Sequence, residues 1–103
     1  MSGSAIAGER VGAIFGQTIE RMEFFGYGIY EGDKIPDPRL NVMFLGAPVE
    51  HPNPSILLDS GERVYGCECW WGEEEAIKKK VASHTGELVM VTPTEVRLKY
   101  NRD

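Results

Sequence analysis

Apolar and polar positions alternate with a period of two through much of the first two thirds of the chain, and with a helical period in only one clear stretch. That pattern predicts a mostly antiparallel sheet carrying one well-marked helix. From Glu9 to Gly16, Val11, Ala13 and Phe15 fall on one face of a strand and Gly12, Ile14 and Gly16 on the other. Gln17-Thr18 then connects to an aromatic-rich second run, Ile19 to Tyr30, completing a first hairpin. Strict alternation fails inside that run: Met22 and Phe24 share one face while Phe25, Tyr27 and Ile29 share the other. One extra residue accounts for the switch, so a β-bulge is expected near Phe24-Phe25.

A second hairpin is marked by Asp59-Ser60-Gly61-Glu62, a turn-forming sequence between two β-prone runs. Continued from Arg63 to Trp71, the alternation puts Tyr65, Cys67, Cys69 and Trp71 on a core face, and Val64, Gly66, Glu68 and Trp70 on the other. Glu68 is read as the wet side of a half-buried sheet. Between the hairpins, Lys34 to Pro54 holds five prolines, which exclude a continuous helix. This stretch is a loop in which only Asn41 to Leu45 is apolar enough to dock, as a short strand or turn.

The helical stretch is about 73–84. Glu73, Glu74 and Glu75 crowd its start, Lys78, Lys79 and Lys80 follow, and Ile77 and Val81 centre its apolar stripe. Glu87 to Val91 reads as a short buried strand. Thr92-Pro93-Thr94-Glu95 has the form of a capping box with proline at the first helical position, predicting a short final helix over 93–100. A rival strand reading rests on the alternation of Val96, Leu98 and Tyr100. Together these elements give an α+β fold: a small, strongly bent, mostly antiparallel sheet or partly open barrel, of SH3-like or OB-like size. Residues 1–8 read as a flexible leader and 9–103 as a single domain.

Composition narrows the function classes more than it names one. The 103 residues suit one core. A net charge of −5 opposes general affinity for nucleic acid or an anionic membrane, since both need a positive field. The start of the chain resembles no secretory signal and no apolar run approaches membrane-spanning length, so a cytoplasmic location is expected. Cys67 and Cys69, one residue apart, read as reduced core side chains. With His51 and His84 as the only histidines they match no zinc spacing, so no metal and no cofactor are expected. The Gly26-Tyr27-Gly28 step lies within a strand, not between strand and helix, and carries no nucleotide fingerprint.

The chemistry that remains is aromatic and acidic. Tyr27, Tyr30, Glu68 and Trp70 are the candidate ligand-binding residues, because large amphipathic rings near glycines and an acid suit a concave site. The reading is a non-enzymatic binding or interaction module, monomer or homodimer, for a protein or small molecule. Two alternatives stand beside it. One is a small enzyme using Glu23 and Glu68 as a carboxylate pair. The other is a single-stranded nucleic-acid binder, which needs Arg97, Lys99, Arg102 and the lysine run to form a basic edge beside Trp70.

Overall fold

The computed structural model describes residues 6–100. Its organising element is a long second strand, β2 (Arg21–Lys34), flanked by β1 (Arg10–Gln17) along most of one side. Two register shifts interrupt this pairing: Ala13 faces Gly26 while Ile14 faces Phe24, and Phe15 is skipped between Ile14 and Gly16. The bulge at Phe24-Phe25 therefore exists, and it lets adjacent phenylalanines enter two different cores. Phe25 packs with Val11, Ala13 and Trp71, whereas Phe24 packs with Ile14, Met22 and Ile77.

After β2 the proline-rich loop forms a 3₁₀ turn (Pro38–Leu40) and a minimal hairpin of β3 (Met43–Phe44) and β4 (Ala47–Pro48). Its neighbours Val42 and Val49 are buried with Tyr65, so the expected docking is real. The second hairpin joins β5 (Asn53–Leu58) and β6 (Arg63–Tyr65); Gly61 takes φ +99° and donates to the Leu58 carbonyl at 2.8 Å. Only glycine holds that dihedral without strain.

The strand expected from Arg63 to Trp71 is broken. After β6 the chain makes a 3₁₀ turn (Gly66–Glu68) and resumes as β7 (Trp70–Glu73), which pairs with β1. The sheet order is β6-β5-β2-β1-β7, with β8 on β2 as well. The physical reason for the break is distance: the chain leaves one end of the sheet and must re-enter at the other, so one continuous ladder cannot serve both. The result is a bent sheet that does not close.

Helix α1 (Glu74–Ser83) covers the face bearing Gly12, Ile14 and Phe24. A Cβ on Gly12 would lie 2.7 Å from Ile77 Cγ2, so the missing side chain sets how closely the helix approaches. The strand after it, β8 (Glu87–Met90), pairs parallel with the first half of β2. It was expected to be buried, yet Leu88 is 46% and Met90 59% exposed. Among the described residues nothing pairs with its outer side, so it is an edge strand.

Helix α2 (Pro93–Tyr100) closes the opposite face through Val96 and a contact between Tyr100 and Phe15, whose rings lie 5.6 Å apart. Its capping box is reciprocal: Glu95 N–H donates to Thr92 Oγ1 at 3.1 Å and Thr92 N–H to Glu95 Oε1 at 2.7 Å. Of the expected leader, residues 1–5 lie outside the described residues, while Gly8 N–H donates to the Tyr30 carbonyl at 2.7 Å. No helix among the described residues is long and apolar enough to cross a membrane.

Candidate functional site

Three of the four candidate residues lie on the sheet and divide between its two faces; Glu68 lies in the 3₁₀ turn. Tyr27 lies on the α1 side, half-buried, its ring edge-on to Phe24 at 5.1 Å. Tyr30 lies on the other, 5.0 Å from the ring of Trp71, and its hydroxyl donates to Asp33 at 2.7 Å. That bond holds the phenol proton and raises the Tyr30 pKa. Both tyrosines are thus part of core packing.

Trp70 is different. It opens β7 opposite Ile14, on the α1 face, and is 60% exposed while its neighbour Trp71 is 4% exposed. The period of two explains the split, since consecutive strand residues face opposite sides. Beside Trp70 is a cleft of about 320 Å³ lined by Ile14, Gln17, Trp70 and Lys80. Its floor is apolar, one wall is an indole, and its polar groups are an amide and an ammonium. Gln17 also borders a neighbouring cleft with Arg21, Glu23 and Lys99.

Glu68 does not contribute to that cleft. It sits in the 3₁₀ turn with its side chain 9% exposed, not on a wet sheet face. Its Oε2 accepts from Arg97 Nε at 2.8 Å, and Oε1 accepts from Arg97 Nη2 at 2.8 Å and from the Tyr65 N–H at 3.0 Å. Arg97, with a side chain 7% exposed, also donates from Nη2 to the Arg63 carbonyl at 2.8 Å. This is a two-pronged, buried ion pair tying α2 to β6 and the turn. The basic edge that the nucleic-acid alternative needs therefore lacks Arg97. The signal that finds it is helical spacing, which puts it four residues after Pro93 on one helix face, and both are buried.

The two cysteines are part-buried and both ring nitrogens of His84 are engaged. Burial pushes both cysteine thiols up, Cys69 most strongly, aided by the Glu68 charge. Both cysteines are free of disulfide. His84 bridges two turns: Nε2 faces the Thr18 carbonyl at 2.7 Å and Nδ1 accepts the Gly86 N–H at 3.2 Å. His51 is exposed in the proline-rich loop. Glu23 pairs with Arg21 at 3.1 Å, and Glu68 with Arg97, so the structure commits the two proposed acid–base carboxylates to separate guanidinium groups. Among the described residues no cluster of three or more His, Cys, Asp or Glu could hold a metal.

Compared with known family models, curated proteins and solved structures, the chain matches none.

Proposed function

We propose that the protein is a small, cytoplasmic, non-enzymatic binding module that takes its ligand on the α1 face, at the Trp70 cleft. The observation that carries this reading is the exposure of Trp70, 60% against 4% for Trp71. An indole left in water beside an apolar floor is a large surface whose covering by a ligand is favourable. Lys80 and Gln17 line the same cleft and suit an acceptor on the ligand, such as a carboxylate or hydroxyl. The acidic partner group first assigned to this surface, Glu68, is spent on Arg97, so the ligand favoured here is flat and neutral or anionic, not cationic.

A single-stranded nucleic acid remains the competing ligand, because Gln17 joins the Trp70–Lys80 cleft to the one holding Arg21 and Lys99. Against it stand the net charge of −5 and the withdrawal of Arg97 into its ion pair.

The test is a fluorescence titration of the Trp71→Phe protein, in which Trp70 is the sole tryptophan, with a panel of aromatic carboxylates, methyl glycosides and a short oligonucleotide. A saturable change from a carboxylate or glycoside, abolished by Trp70→Ala and weakened severalfold by Lys80→Ala, supports the reading. Binding of the oligonucleotide alone replaces it with the nucleic-acid reading. No response from any probe removes the site.

A further inference from the structure

We propose a second binding site, on different residues from the Trp70 cleft, for a small carboxylic acid that also carries an amine or hydroxyl donor. It is a cavity of about 490 Å³ between the end of β2, the proline-rich loop, the β5–β6 turn and α2. Its size lies within the usual range for small-molecule sites. Six of its lining residues carry the chemistry: Lys34, Asp37, Glu62, Arg63, Thr94 and Arg97.

The hydrogen bonds along this cavity leave an uneven remainder. Arg97 spends Nε and Nη2 on Glu68 and the Arg63 carbonyl, and Nη1 has no partner among the described residues although its side chain is 7% exposed. Arg97 lines this cavity, so an acceptor bound here could pair with a guanidinium that is otherwise nearly buried. Arg63 repeats the arrangement: Nε and Nη2 go to Glu31 at 2.8 and 3.1 Å, and Nη1 has no partner among the described residues. The Lys34 ammonium makes no hydrogen bond or ion pair among them and touches Glu31 only through its charge.

The carboxylates on the same wall are more nearly spent. Both oxygens of Asp37 are taken by Arg39, at 2.7 to 3.2 Å. Glu62 Oε1 accepts from the Thr94 N–H at 3.1 Å and hydroxyl at 2.6 Å, leaving Oε2. Three cationic donors and one carboxylate oxygen are thus on offer. One Nη1 from each arginine and the Lys34 ammonium suit a carboxylate, and Glu62 Oε2 suits a donor beside it. A dianion fits less well, because Asp37 and Glu62 repel its second charge. Glu68 and Glu31 hold the arginines in place beforehand, so little order need be gained on binding.

The experiment follows the arginine Nε–Hε signals and the Thr94 amide by ¹H–¹⁵N NMR of the full chain at constant ionic strength. The probes are lactate, serine, acetate and inorganic phosphate. Lactate and serine should shift these signals saturably at millimolar concentration and bind more tightly than acetate or phosphate. Lys34→Met, an exposed change that leaves the core intact, should weaken lactate about fivefold. Glu62→Gln should erase the preference for lactate over acetate, and Trp70→Ala should change nothing, which separates this site from the Trp70 cleft. Absence of saturable shifts, tighter binding of phosphate, or an unchanged affinity in Lys34→Met overturns the proposal.

Discussion

Arg97 ties α2 to β6 and the 3₁₀ turn, and its charge is nearly sealed from water and answered by one carboxylate. Removing Glu68 leaves that charge uncompensated, and such losses cost about 3–5 kcal/mol. For a domain whose total stability is about 5–15 kcal/mol, this is a large share. Glu68→Gln should therefore lower the urea midpoint by an amount equivalent to about 3 kcal/mol, and the double change Glu68→Gln with Arg97→Met should recover most of it. A Glu68→Gln protein as stable as the parent would show that the pair is not buried in solution. Glu31 makes the corresponding pH statement. Arg63 holds its carboxyl below the usual range, so its stabilising contribution is present at neutral pH, above the unfolded-state value, and is lost as pH falls through the lowered folded value. Urea midpoints should be flat near neutrality and drop in acid, with a smaller acid drop in Glu31→Gln. The thiols test burial in another way: alkylation by iodoacetamide near neutral pH should be slow at both cysteines and slowest at Cys69.

Among the elements, β8 and α2 show what local pattern can and cannot tell. The capping box over Thr92 to Glu95 is a local interaction written in four consecutive residues, so the α2 start was legible; the same holds for α1, the Gly61 turn and the Phe24-Phe25 bulge. The apolar run of β8 named a strand but not its place, because whether Leu88 and Met90 meet a neighbour depends on which strands lie beside β2. The break at Gly66–Glu68 was hidden for a like reason, since alternation continues through a turn that exists to carry the chain across the sheet. Glu87 N–H and Val91 N–H donate to the Glu20 and Phe24 carbonyls of the β1–β2 turn and β2, at 2.8 and 3.0 Å, so in a parallel ladder Leu88 and Met90 point their amides away from β2. Amide hydrogen exchange along β8 should alternate, fast at Leu88 and Met90 and slow at Val89 and Val91. Uniform protection would mean that the edge is covered.

At the scale of the whole molecule, α1 and α2 pack on opposite faces of one sheet, and the α1 face leaves Trp70 open. The α1 face depends on Gly12, where an added methyl meets Ile77; Gly12→Ala should destabilise by about 1–3 kcal/mol, read as a lower thermal midpoint. The candidate site was only half legible at this scale: Trp70 could be placed opposite Trp71 by the period of two, but its neighbours Gln17 and Lys80 come from other elements, and Glu68 was claimed by a residue twenty-nine positions later. The binding account rests on one tryptophan belonging to the core and the other to solvent. The measurement that tests this most directly is quenching of tryptophan emission by acrylamide and iodide, in the parent and in Trp70→Phe. The account predicts strong quenching by both agents in the parent, iodide included because Lys80 lies beside the ring, and loss of most of it in Trp70→Phe. Quenching that is weak in the parent, or unchanged when Trp70 is removed, would contradict an open Trp70 surface.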